Sequence, residues 1–268
     1  MLEVQPIQAF EDNYIWLLTE GTGTAVVVDP GDAEPVLELL YQRQLILTAI
    51  LVTHHHFDHI GALEELAEAF PGVEIHGPAD RRIPAVNRYR REGQRFVPAG
   101  LSTAFEVWET PGHTATHIAY LGAGCLFCGD TLFTAGCGRV FDGTLDQLAQ
   151  SLDRIAALPD GWLCYCAHEY TRANLGFAEW VEPSNPALDR RIRQTQILCA
   201  KGKPTVPAPL ALERATNPFL RTREPQVIAA AERQAGRRLQ GSHEVFAVLR
   251  RWKDEQYDLR RWKDEQYD

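Results

Sequence analysis

The chain has 268 residues, 45% hydrophobic and 24% charged, with a formal net charge of −9. That is the composition of a soluble globular protein with a sizeable core, and its acidity argues against non-specific nucleic-acid binding. No apolar run approaches the roughly 20 residues of a membrane span, and Met1 to Pro6 has neither the basic nor the apolar region of a signal peptide, so the expectation is a cytoplasmic protein without a membrane partner.

Leu2 to Ile7, Tyr14 to Leu18 and Ala25 to Asp29 read as strands of an antiparallel meander, with a turn at 20–23. Asp29 closes an apolar strand and suits either a place behind a metal site or a turn. A helix is expected from about Ala33 to Arg43. The apolar run Leu47 to Val52 is the next strand, and it leads into Thr53-His54-His55-His56-Phe57-Asp58-His59. Ala62 to Phe70 then has a helix pattern, so this histidine cluster sits where ligand sites of α/β proteins gather, beyond a strand's C-terminal end. In extended backbone residues i and i+2 point the same way, so His54 and His56 can converge on one ion. Asp58 and His59 face different directions and can serve a second ion beside it.

Val73 to His76 reads as a short strand, with His76 structural. Residues 78–100, rich in Arg, Pro and Gly, read as a short helix plus loop. Ala104 to Glu109 is a strand ending before His113, which follows Pro111 and Gly112 and can join the first cluster. His117 reads as structural or supporting rather than as a ligand. Cys125 to Cys128 is a strand that leads to Gly129 and Asp130, where a carboxylate could bridge two ions with its two oxygens. The glycine-rich loop 136–143 matches no nucleotide-binding pattern. Asp146 to Leu158 is a helix, Trp162 to Cys166 a strand, and His168 repeats the pattern of a ligand at a strand end. The six cysteines are expected to be reduced thiols, buried where they lie in strands.

After Tyr170 the pattern is helical, over 171–180, 187–202, 225–235 and 243–257, with Pro-rich breaks and no convincing strand. Residues 249–258 are followed by an identical copy, 259–268, which reads as an accident of assembly rather than a functional repeat.

Seven candidate ligands therefore stand at strand ends: His54, His56, Asp58, His59, His113, Asp130 and His168. One tetrahedral zinc takes about four. Seven, with one carboxylate shared, suit two ions about 3.5–4 Å apart, which can hold a bridging hydroxide and polarise a carbonyl. The chemistry expected is metal-assisted hydrolysis.

This order of motifs (H-x-H-x-D-H, a lone His, Asp in G-D-T, a final His) is similar to the metallo-β-lactamase superfamily, which implies an α/β fold, an αββα sandwich with the site on one edge. More narrowly, the segments 12–16, 28–31, 53–59, 112–114, 129–133, 136–139, 168–171, 217–221 and 250–254 resemble the glyoxalase II (hydroxyacylglutathione hydrolase) family. The resemblance implies a catalytic domain over 1–170 and an all-helical substrate-binding domain over 171–258. It implies two divalent ions, zinc first and iron or manganese otherwise. One would be held by His54, His56 and His113, the other by Asp58, His59 and His168, and Asp130 would bridge them. The implied reaction is cleavage of S-D-lactoylglutathione to D-lactate and glutathione in methylglyoxal detoxification, by a monomer. Arg139, Tyr170, Arg250 and Lys253 match positions that contact glutathione, and Phe141 stands where some members have tyrosine. The rivals are a mononuclear-iron persulfide dioxygenase of the same superfamily, a β-lactamase, for which no export signal is seen, and a non-enzymatic member, which would have a broken ligand set.

Overall fold

The computed structural model describes residues 1–21 and 23–264, with side chains through residue 256. Two six-stranded sheets lie face to face. The first opens with β1 (Glu3–Ala9), β2 (Asn13–Thr19) and β3 (Thr24–Val28), the expected antiparallel meander. One residue of the expected turn, Thr22, lies outside the described residues. After α1 (Glu34–Arg43), β4 (Ile46–Leu51) adds to β3 in parallel. The one-turn α2 (Phe57–Ile60) and α3 (Leu63–Ala69) lead to β5 (Glu74–Pro78) and β6 (Arg88–Arg90), again parallel.

The second sheet holds β7 (Arg95–Phe96), β8 (Phe105–Glu109), β9 (Ile118–Gly122) and β10 (Cys125–Gly129). A small hairpin, β11 (Leu132–Phe133) and β12 (Gly136–Cys137), follows, then α4 (Leu145–Ala156) and β13 (Leu163–Cys166), which pairs with β10 in parallel. Thr144 and Gln147 close a reciprocal cap on the first turn of α4. The rest is α5 (Thr171–Val181), α6 (Pro186–Ala200), β14 (Ala208–Pro209), α7 (Leu210–Thr216), a 3₁₀ turn at Pro218–Leu220, α8 (Pro225–Ala235) and α9 (Ser242–Asp264).

Alternation along the strands builds the layers. Val26 and Val28 point between the sheets, toward Phe105, Tyr120 and Phe127. Ala25 and Val27 point the other way, onto Val36 and Leu40 of α1 and Leu63 and Leu66 of α3. Strands covered on both faces read as unbroken apolar runs, as β3 and β10 do. Helices α4, α8 and α9 add Leu148, Val227 and Phe246 to the core of the second sheet. The result is the αββα sandwich.

Three expectations need correction. Residues 78–100 contain no helix but turns and two edge strands, and charged edge strands such as Arg88–Arg90 carry no apolar period to reveal them. The C-terminal part is not wholly helical, since β14 pairs with β13 at the sheet's rim, where a proline is tolerated. Helix α7 went unseen beside the Pro-rich run. All six cysteines are free, and all but Cys199 are buried. The backbone of α9 runs into the duplicated stretch, but that stretch's side chains and residues 265–268 lie outside the described residues.

Candidate active site

The site lies beyond the C-terminal ends of β3, β4, β8, β10 and β13. Asp29, just past β3, adopts a left-handed conformation (φ 52°), which a short polar side chain tolerates. Its Oδ1 accepts from the Thr53 backbone N at 2.7 Å, and its Oδ2 accepts from Thr53 Oγ1 at 2.7 Å and lies 3.0 Å from His59 Nδ1. Asp29 therefore fixes both the start of the histidine loop and the ring of its last histidine. Gly31 lets the neighbouring turn approach, since a Cβ there would sit 2.0 Å from the Asp58 carbonyl oxygen.

The seven residues named from sequence come together in two groups, His54, His56, His113 and Asp130, and Asp58, His59 and His168. His54 Nε2 and His113 Nε2 each lie 3.0 Å from His56 Nδ1. His56 is extended (ψ 145°), as convergence of His54 and His56 requires, and α2 then turns Asp58 and His59 to the second group. Asp130 stands between the groups. Its Oδ2 is 3.4 Å from His113 Nε2, while its Oδ1 is 3.4 Å from His168 Nε2 and 3.5 Å from His59 Nε2. Asp58 Oδ2 faces the same two rings, at 3.4 Å from His59 and 3.3 Å from His168.

This donor set fits a pair of cations. Neutral rings cannot aim three lone pairs at one point without a cation or proton between them. His59 Nε2 and Asp130 Oδ1 are buried with no hydrogen-bond partner, a cost that an ion would remove. Burial, then His59, holds His54 well below its ordinary range, and burial, then His113, brings His56 down to about 4. The first group is thus neutral imidazole, the form that binds metal. In the second group burial opposes protonation, yet Asp130 and Asp29 push His59 up to about 10, and Asp130 and Asp12 raise His168 further. The carboxylates of this group draw positive charge strongly.

Supporting contacts hold several of these candidate ligands. His168 Nδ1 lies 2.9 Å from Asp12 Oδ1, and Asn13 Nδ2 donates to Asp58 Oδ2 at 2.9 Å. Asp12 ends the turn between β1 and β2 and Asn13 opens β2; sequence reasoning counted 12–16 among the family-matching segments but gave these two residues no role. An acid and an amide at a tight turn were the available signal. His113 Nδ1 donates to the Arg139 carbonyl at 2.7 Å. His117 is no ligand: its Nε2 accepts from the Asp130 backbone N at 3.2 Å, and its ring stacks on His54. His76 is structural, against Glu74 and Arg90.

The positions that resemble glutathione contacts fall in two places, Phe141 and Tyr170 against the histidine rings, and Arg139, Arg250 and Lys253 about the start of the last helix's contact with residues 137–139. Phe141, 63% exposed, stands edge-on to His56 and His113 with ring centroids 4.9 and 5.2 Å away. Tyr170 stacks on His168 at 4.7 Å. Arg139 Nε and Arg250 Nη2 lie 3.1 and 3.0 Å from Asp254 Oδ1. Arg250 is buried and also donates to the Cys137 carbonyl at 2.8 Å. Lys253 donates to Asn174 Oδ1, and burial, then the Arg250 charge, pushes its ammonium down to about 7.

Residues 10–168 match the metallo-β-lactamase superfamily model, and residues 169–256 match the model of the hydroxyacylglutathione hydrolase C-terminus. A hydroxyacylglutathione hydrolase of Alkalilimnicola ehrlichii is 52% identical over 95% of this chain and 100% of its own length. The chain belongs to the hydroxyacylglutathione hydrolase family. Among solved structures, ETHE1 from Myxococcus xanthus is similar at 28% identity and TM-score 0.56, covering 81% of this chain and 96% of that one. TTHA1623, solved in a di-iron-bound form, has 30% identity and TM-score 0.53, covering 61% of this chain and 91% of that one. In this hydroxyacylglutathione hydrolase family member the join between the two matched stretches falls at His168 and Glu169. Glu169 accepts from Tyr14 Oη at 2.7 Å and from the Thr205 backbone N at 2.8 Å, which ties the last ligand to both stretches.

Proposed function

We propose that this chain is a binuclear metal-dependent thioester hydrolase that cleaves S-D-lactoylglutathione to D-lactate and glutathione. The observation that carries the reading is Asp130, which turns one oxygen to each ligand group. Membership in the hydroxyacylglutathione hydrolase family supports the substrate class. Zinc is the first choice of metal, and iron or manganese suits the same donors. Two such ions supply a water ionised at neutral pH and polarise a carbonyl.

The remaining work is the chain's own. Asp58 Oδ2, held by Asn13, would serve as the carboxylate ligand of the second group, facing His59 and His168. Asp130 holds the two groups in register. Tyr170 and Phe141 wall the mouth with aromatic surface, and Phe141, having no hydroxyl, contributes packing only. Arg139, Arg250 and Lys253 are the cationic side chains offered to a substrate carboxylate on a chain of net charge −9, with Asp254 balancing the two arginines until a substrate carboxylate competes for them. A thiolate is a good leaving group, so no general acid is required. In this reading residues 1–170 form the catalytic domain and 171–258 the substrate-binding domain of a monomeric cytoplasmic enzyme of methylglyoxal detoxification. Among the described residues no helix is long and apolar enough to cross a membrane. A mononuclear-iron dioxygenase would need one ligand group, and the presence of two candidate groups supports the two-ion reading.

The test is loss of the thioester of S-D-lactoylglutathione with purified protein of known metal content. Hydrolysis that stops on chelation and returns with added metal is expected. A fully metallated protein that leaves the thioester intact would refute the reading.

A further inference from the structure

We propose that Arg82 is a positioning residue that locks the loop carrying His113 onto the three-histidine group. The inference rests on the proposed two-ion centre. Arg82 lies in the turn after β5 and grips two carboxylates at once. Its Nε and Nη2 donate to Asp80 Oδ1 and Oδ2 at 2.9 and 2.7 Å, a bidentate pair, and its Nη1 donates to Asp142 Oδ2 at 2.5 Å. Each carboxylate also reaches the stretch just past His113. Asp80 Oδ2 accepts from Thr116 Oγ1 at 2.6 Å, and Asp142 Oδ1 accepts from the Ala115 backbone N at 2.7 Å. The other side of the loop is held by the Phe141 backbone N, which donates to the His113 carbonyl at 3.0 Å. Asp142 adjoins Phe141, so the same guanidinium restrains the ring that stands against His56 and His113.

An ordinary surface ion pair contributes little, but this one has the bidentate geometry and shared network that make the exception. Asp80 is buried, whereas the Arg82 side chain is 45% exposed. Removing the guanidinium opens no core cavity, and buried Asp80 keeps the Arg82 backbone N–H and Thr116 Oγ1 as donors, so the fold should survive with some loss of stability. None of the contacts described for Arg82 reaches Asp58, His59 or His168. Its removal should loosen one ligand group and spare the other. Lysine can pair with one carboxylate at a time but cannot span both, so it should restore only part of the effect.

The experiment is cobalt(II) titration of metal-free wild type, Arg82→Met and Arg82→Lys, followed by the visible absorption of each bound ion, with urea unfolding of the same proteins. In Arg82→Met the ion held by His54, His56 and His113 should bind about 2- to 30-fold more weakly, the size typical for a network residue that touches no ligand itself, while the other binds as in wild type. Arg82→Lys should lie between, and Asp142→Asn should show the same selective weakening. Wild-type affinity for both ions in Arg82→Met, or equal weakening of both, would overturn the proposal. Neither result depends on thioester hydrolysis, so failure here is distinguishable from failure of the proposed activity.

Discussion

Glu213 offers the sharpest test of how the helical part holds the site. It lies fully buried in α7 and pairs with Arg191 of α6, itself buried. Its Oε2 accepts from the Ala135 backbone N at 2.9 Å and from Asn217 Nδ2 at 3.1 Å. Asn217 Nδ2 in turn donates to the Gly136 carbonyl at 2.9 Å. Ala135 takes a left-handed turn (φ 57°) at the tip of the β11–β12 hairpin, so a strained position is held by a carboxylate from far along the chain. Glu213→Gln keeps the shape and removes the charge. The Arg191 guanidinium is then buried without its counter-ion, which costs about 3–5 kcal/mol. An amide offers one acceptor oxygen, so the Ala135 N–H and Arg191 can no longer both be satisfied. Replacing both partners, as in Arg191→Met with Glu213→Gln, removes the stranded charge while the amide oxygen still accepts from the Ala135 N–H, and should recover much of the loss. The assay is urea unfolding followed by circular dichroism for the two single variants and the double variant. A Glu213→Gln penalty below about 1 kcal/mol, the range of an exposed pair, would refute the reasoning.

Three further outcomes are expected. Asp12→Asn should weaken the ion held by Asp58, His59 and His168 about 10- to 100-fold, since Asp12 orients His168; unchanged cobalt affinity would count against it. In metal-free protein His59 is raised from 6.5 to about 10, so it is protonated at neutral pH and must give up that proton to the buffer when an ion binds. The measured heat of zinc binding near pH 7 should therefore vary with the buffer's ionisation enthalpy, and a buffer-independent heat would contradict the assignment. Lys253 runs the other way, depressed from 10.5 to about 7 by burial and by Arg250. Between those values the unfolded chain holds more protons than the folded one, so this residue's contribution to stability rises with pH across the window. Relative to wild type, Lys253→Met should therefore gain most below pH 7 and lose that gain toward pH 10.5, as read by urea midpoints; a gain constant with pH would exclude the mechanism.

The parts of the site legible in the sequence are those whose chemistry and geometry share one short window. His54 and His56 converge because extended backbone repeats every second residue, and Asp58 and His59 diverge because a single helical turn follows. His113, Asp130 and His168 were legible for a related reason: each ends an apolar strand, and strand ends collect on one edge of a sandwich. What stayed hidden are the residues that decide where a ligand points. Asp12 meets His168 across 156 positions, and Arg82 meets Asp142 across 60. No local period announces such pairs, and in sequence they read as a hairpin tip and an arginine-rich loop. The short elements that were missed share this origin. Strand β14 exists because Cys164 and Leu163 lie beside it, and α7 is pinned where Glu213 finds Arg191 and Ala135. Ligand identity is thus written locally, whereas ligand orientation is set by partners that only the finished fold brings near. A sequence that kept all seven candidate ligands but lost Asp12 or Arg82 would still read as a two-ion centre, and is expected to hold one of its two ions less tightly.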